Sequence, residues 1–197
     1  MSNLLNPLES ILQQAAKLPE SGAIEPYAQR LNTKTSGISI ILLDISGSMA
    51  EVLELGRRKI DLLRQALERS LHSNEVAIAF HSIPVQLESL HKIPEPDGGT
   101  ALHYAIAQAI PYKPNQTLVI SDGKPDDPKQ AVAQAEKLTG IINTLYIGSD
   151  QDGEAIAFMS QLARLGCGRA ENCDISNPRN QPLLKENIKH LLTGEAG

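Results

Sequence analysis

Ser39-Ile40-Ile41-Leu42-Leu43-Asp44-Ile45-Ser46-Gly47-Ser48-Met49 is the stretch whose reading decides how this chain folds. With Ile38, its first half is an apolar run that lacks the polar alternation of a one-sided strand. Such a run predicts a strand buried on both faces, as in a parallel sheet. The run stops at Asp44, and Ser46, Gly47 and Ser48 follow. The pattern Asp-x-Ser-x-Ser offers one carboxylate and two hydroxyls from a loop at the carboxyl end of a central strand. Open α/β sheets form their ligand sites at that end. The donors are small, hard oxygens, which suit Mg²⁺ or Mn²⁺ and do not suit zinc or copper. Alternate residues converge on one point, and Gly47 lets the backbone turn tightly. A plainer reading stands beside this one: a strand followed by a serine-rich turn that caps the next helix.

Two further stretches bear on the choice. Asp97-Gly98-Gly99-Thr100 opens an apolar helix expected from Ala101 to Ile110, and Thr117 to Gly123 reads as a second buried strand ending in Asp122. They add one hydroxyl and one carboxylate, each at the end of an element. In this order the set resembles the von Willebrand factor A (VWA) domain family and its metal-ion-dependent adhesion site (MIDAS), and the resemblance runs from about Gly37 to Leu192. It implies a Rossmann-like fold with a metal, Mg²⁺ or Mn²⁺, held by Asp44, Ser46, Ser48, Thr100 and Asp122. In that family the serines and the threonine contact the cation directly, and the aspartates often act through bound waters. A coordination position left open would attract an Asp or Glu of a partner protein. Topology points to the same grouping, because right-handed crossovers gather the loops after successive parallel strands at one edge of the sheet.

The rest of the chain fits an α/β alternation. Val52 to Leu71 is expected as a long amphipathic helix, with Val52, Leu55, Ile60, Leu63, Leu67 and Leu71 on one face. Glu51, Glu54, Arg57, Arg58, Glu68 and Arg69 are expected to be mostly solvated. Glu75 to Phe80 reads as a strand, and Pro84 to Leu87 as a short antiparallel edge strand that tolerates its proline. Asp127-Pro128 starts a helix running to about Leu138. Ile141 to Ile147 is a strand, Asp152 to Leu165 a helix, Arg169 to Ile175 the last strand and Pro182 to Leu192 the last helix. The alternation predicts a doubly wound, mostly parallel sheet with helices on both faces. Residues 1–35 form a separate N-terminal helical extension, with Leu4, Leu5, Leu8, Ile11, Leu12 and Ala15 at helical spacing. This extension either packs on the domain of residues 36–197 or docks a partner, and packing is the expectation.

Bulk properties narrow the function classes. A net charge of −5 over 197 residues argues against non-specific binding to nucleic acid or anionic membrane. No apolar run is long enough to span a bilayer, and the first residues lack the pattern of a secretory signal. Cys167 and Cys173 match no zinc or redox spacing, so reduced structural thiols are expected, and whether they ever pair is open. These features predict an intracellular, cytoplasmic protein, and the resemblance implies a bacterial one. Aromatic residues are 3% of the chain, so the core must come from Leu, Ile, Val and Ala.

The expected role is a metal-dependent protein-interaction adaptor without catalysis of its own. Stand-alone domains resembling this one serve AAA+ ATPases, metal-chelatase complexes, stress-resistance systems or signalling modules. The alternative is a Mg²⁺-dependent phosphatase of haloacid-dehalogenase type with Asp44 as nucleophile and Asp122, Asp126 and Asp127 near the metal. That type usually needs a general-acid Asp two positions after the first, and Ser46 stands there. Neither serine lies in a G-x-S-x-G elbow. Asp97, Asp126, Asp127 and Lys124 are expected around the mouth of the site, either tuning partner choice or capping helices. His72, His81, His91, His103 and His190 share no ligand spacing, and only His103 is close enough to Thr100 to line the site. Met49 is expected to pack beneath the first loop.

Overall fold

The computed structural model describes residues 37–69 and 71–193. The N-terminal extension read from residues 1–35 lies outside them. The strands are β1 (Ser39–Asp44), β2 (Glu75–Phe80), β3 (Pro84–Leu87), β4 (Gln116–Ser121), β5 (Ile141–Tyr146) and β6 (Cys167–Asn172). The helices are α1 (Lys59–Ala66), α2 (Leu102–Ala109), α3 (Pro128–Ala135), α4 (Gly153–Leu165) and α5 (Leu183–Thr193). The six strands form one sheet in the order β3-β2-β1-β4-β5-β6. Every pair is parallel except β2 with β3, the expected antiparallel edge. The result is the doubly wound α/β, Rossmann-like architecture that the alternation predicts.

The unbroken apolar run of β1 is explained by its place at the centre of the sheet. Successive side chains point to opposite faces, and both faces are covered. Ile41, Leu43 and Ile45 join a core closed by Ile60, Leu63 and Leu67 of the α1 segment and by Leu184, Ile188 and Leu191 of α5. Ile40 and Leu42 join the opposite core, closed by Leu102 and Ile106 of α2, Ala131 and Ala135 of α3, and Phe158, Met159 and Leu162 of α4. The same split repeats along β4, where Leu118 and Ile120 face the first core and Val119 the second. Among the described residues, no helix is long and apolar enough to cross a membrane.

The strand order reverses direction at β1. One branch continues through β2 to β3, the other through β4 to β6, and the two branches part between β1 and β4. This is the topological switch point, and the crevice it leaves lies beyond the carboxyl ends of β1 and β4. Asp44 ends β1, and Asp122 follows the last residue of β4.

The first crossover departs from expectation. Val52 to Arg58 is a small hairpin instead of the start of a helix: Val52 bridges Arg58 in antiparallel fashion, and the Leu53 N–H donates to the Arg57 carbonyl at 2.9 Å. Gly56, at φ +71°, turns the hairpin in the left-handed region that glycine enters without a Cβ clash. Val52 and Leu55 are each 63% exposed, so their helical spacing with Ile60 and Leu63 is coincidental. The helix proper is only Lys59–Ala66. The last strand also begins earlier than expected, at Cys167, and ends at Asn172.

Candidate metal centre

Four of the five expected ligands are joined side by side. The Asp44 carboxylate is fully buried; it accepts from the Ser46 N–H at 2.8 Å through Oδ1 and from the Ser121 hydroxyl through Oδ2. The Ser46 and Ser48 hydroxyl oxygens are 3.0 Å apart, and Ser48 Oγ donates to Asp122 Oδ1 at 2.7 Å. Residues 47–50 form one 3₁₀ turn, and Ser46 stands at its N-cap without using its hydroxyl to cap it. The capping reading of the serines therefore does not account for Ser46. Met49 is buried beneath the loop, as expected.

Among the described residues, Thr100, the fifth expected ligand, makes no hydrogen bond to the other four, and its loop is tied to theirs only through Asp97 and Gly98. Gly47 N–H donates to the Gly98 carbonyl at 3.0 Å, tying the first loop to the second, and Asp97 N–H donates to the Ile45 carbonyl at 2.9 Å. Asp126 then clamps Thr100 from both sides. Its Oδ2 accepts from the Thr100 N–H at 2.8 Å, and its own N–H donates to the Thr100 carbonyl at 3.1 Å. Two glycines make this approach possible. A Cβ at Gly99 would meet Asp126 Oδ2 at 2.5 Å, and Gly98 stands at φ +65° with Ser82 Oγ at the same distance.

Asp44 feels both its burial and its neighbour Asp122. Burial first, and then the charge of Asp122, push the Asp44 carboxyl up to about 6 despite the hydrogen bonds from Ser121 and Ser46. Two carboxylates withdrawn from water at one point call for a cation. Part of that charge is supplied by Lys59, the first residue of α1, which the sequence reading did not single out. Lys59 Nζ lies 2.8 Å from Asp122 Oδ2 and 2.6 Å from Glu51 Oε2. Burial would lower the Lys59 ammonium, but its hydrogen bonds to Asp122 and Glu51 outweigh that and hold it above its ordinary value. Glu51, expected to be merely solvated, is thus part of the site. One signal was available: a lysine at a helix N-terminus opposes the macrodipole and asks for a local reason.

The residues at the mouth divide. Asp127 caps α3 by accepting from the Gln130 N–H, Asp97 accepts from the Gly98 N–H, and Lys124 pairs with Glu154 at the surface. His190 belongs elsewhere, bridging α5 to Glu171 of β6. Cys167 opens β6 and Cys173 follows its last residue, so the two free thiols stand about 20 Å apart along the chain. That separation is far beyond a disulfide's reach. Among the described residues, no three His, Cys, Asp or Glu side chains form a metal cluster. The donor set is instead two carboxylates with neutral hydroxyls, a composition that fits a hard, oxygen-seeking cation such as Mg²⁺ or Mn²⁺.

No protein-family model matches this chain. No curated protein matches it either. The class defined by fold and site is a Rossmann-like α/β protein with a carboxylate–hydroxyl cluster at the switch point of its sheet.

Proposed function

We propose that the protein is a VWA-like, metal-dependent interaction module in which Asp44, Ser46, Ser48, Thr100 and Asp122 hold Mg²⁺ or Mn²⁺. The carrying observation is the hydrogen-bonded cluster at the carboxyl edge of the sheet, in which the Ser46 N–H binds Asp44, the Ser46 and Ser48 hydroxyls meet, and Ser48 binds Asp122. When bound, the cation would supply a Lewis-acidic position able to take one carboxylate oxygen from outside. The chain's own residues supply the rest. The serine loop is fixed by Asp44 and Gly98, the Thr100 loop by Asp126, and Asp122 by Ser48 and Lys59. Neutral hydroxyls leave a dication incompletely neutralised, which favours an Asp or Glu of a partner protein.

The surroundings support a docking role. The Val52–Arg58 hairpin is rooted between Glu51 and Lys59, and its exposed Val52 and Leu55 offer apolar contact. The resemblance implies partners such as AAA+ ATPases, chelatases, or signalling and stress-response proteins in a bacterial cytoplasm. The phosphatase alternative is weakened by the residues around Asp44. The Asp44 carboxylate is held by the Ser46 N–H and the Ser121 hydroxyl, and Ser46 stands two positions on where that type of phosphatase needs its general-acid Asp. The reading therefore assigns no catalysis to the chain.

Calorimetric titration of Mg²⁺ and Mn²⁺ into wild type and Asp44→Ala, followed by affinity capture with and without EDTA, tests this function. Metal binding that Asp44→Ala abolishes, together with release by EDTA of a partner bearing an essential carboxylate, is the expected result. Absence of metal binding in the wild type, with EDTA-indifferent partners, refutes it.

A further inference from the structure

We propose that Lys59 is a built-in competitor of the divalent cation, the resident counter-charge of Asp122 in the metal-free protein, with Glu51 as the acceptor to which its ammonium is handed when Asp122 serves a metal. This inference rests on the adhesion-site reading and adds to it two residues outside the five ligands.

The geometry carries it. Both oxygens of the Asp122 carboxylate are engaged, Oδ1 by the Ser48 hydroxyl and Oδ2 by Lys59. The side chains grade from sealed to open: Asp122 is 0% exposed, Lys59 10% and Glu51 60%. The ammonium therefore touches a buried acceptor and an accessible one at once, at 2.8 and 2.6 Å. Its backbone is held, since the Lys59 N–H donates to the Glu51 carbonyl at 3.1 Å. Only the flexible stem needs to move for the charge to pass from Asp122 to Glu51.

Charge explains the consequence. Asp44, Asp122 and Glu51 carry −3 when all are ionised and Lys59 brings the cluster to −2, so its ammonium lowers the attraction that the buried carboxylates would exert on a dication. A like charge beside a shared carboxylate also repels the incoming cation directly. The site is thereby set to weak affinity on its own, and a partner's carboxylate adds the negative charge needed to favour occupancy. Metal and partner should then bind with positive coupling, each raising the other's affinity.

Calorimetry of Mg²⁺ and Mn²⁺ binding to the full chain, with thermal melts in metal and in EDTA, tests the proposal. Lys59→Met should bind Mn²⁺ at least tenfold more tightly than wild type. Its melting temperature in EDTA should fall, and the rise on adding metal should grow. Lys59→Arg, which keeps the charge, should retain affinity near wild type. Glu51→Gln should weaken binding several-fold, and that effect should largely vanish in the Lys59→Met background, because no ammonium remains to be received. If wild type binds metal and folded Lys59→Met binds no more tightly, the competitor role is overturned and the adhesion-site reading survives. If neither protein binds at millimolar Mn²⁺, both fail. Binding by Lys59→Met alone supports both. Should Lys59→Met not fold, Glu51→Gln decides: several-fold weakening supports the hand-over, and unchanged or tighter binding overturns it.

Discussion

Gly98 is the hinge on which the second loop of the site depends, and Gly98→Ala isolates its contribution. At φ +65° an added Cβ costs about 1–2 kcal/mol in backbone strain. The same Cβ would lie 2.5 Å from Ser82 Oγ. The Ser82 hydroxyl can rotate away, but it then loses the bond it accepts from the Gly99 N–H at 3.0 Å, worth about 1 kcal/mol. Reduced freedom of the unfolded chain returns about 0.5 kcal/mol. The net loss is about 2 kcal/mol, or roughly 4–8 °C in melting temperature for a domain of this size. Because the Gly98 carbonyl accepts from the Gly47 N–H, the proposed Mg²⁺ binding should weaken along with the stability. Gly123→Ala is the matched control on the same edge, since a Cβ there meets nothing within 4 Å. It should stay within about 0.5 kcal/mol of wild type. Urea and thermal unfolding in EDTA measure both. A Gly98→Ala protein as stable as Gly123→Ala would refute the assignment of the loop to a left-handed, Ser82-braced conformation.

Other perturbations probe separate parts of the fold. Leu55→Ser, at the tip of the exposed hairpin, should change stability by less than about 0.5 kcal/mol in urea unfolding, whereas Leu63→Ala in the core should cost about 2–5 kcal/mol. A large loss for Leu55→Ser would restore the continuous helix. At Glu75, burial opposes the charge, but the Arg69 guanidinium and the His72 N–H outweigh it and hold the carboxyl below its ordinary 4.5. A depressed folded value means stability that is present above about pH 4.5 and lost as pH falls through the folded value. Glu75→Gln should therefore lower stability at neutral pH and flatten the acid limb of a pH–stability curve; an unchanged limb would rule the pair out as a contributor. Cys173 is buried, and burial followed by the charges of Asp174, Asp150 and Glu171 pushes its thiol up to about 11. Iodoacetamide at pH 8, followed by peptide mass spectrometry, should label Cys167 well ahead of Cys173. Equal rates would contradict the burial.

The sheet was legible because its central strands are buried on both faces, and continuous apolar runs have few other uses in a chain of this composition. Ile40 to Leu43 and Leu118 to Ile120 divide between two cores residue by residue, as that pattern requires. Where burial is partial, the pattern fades. β6 carries Gly168, Arg169 and Glu171 at an edge, and its boundaries shifted by two or three residues from the expected ones. Val52 and Leu55 misled for a different reason. Helical spacing is a statement about one face, and it cannot reveal whether a segment has the backbone to present that face. Gly56 carried that information, because a glycine amid charged residues marks the left-handed turn of the hairpin.

The candidate site divides along the same physical line. Asp44, Ser46 and Ser48 lie within five residues, so chain geometry alone puts them on one loop, and Asp122 follows from the ends of parallel neighbours. Lys59 and Ser121 could not be reached this way, since their partners are 63 and 77 positions distant and the contacts exist only after the sheet and α1 have packed. Both stand where local rules are broken. A lysine opens a helix whose N-terminus repels it, and a hydroxyl is sealed against a buried carboxylate. Natural folds keep such violations chiefly where function requires them. An apolar replacement at residue 59 would suit the neighbouring core yet leave Asp122 without its cation. The lysine is thus explained by the carboxylates it neutralises, and the proposed divalent cation would answer the charge that the lysine leaves.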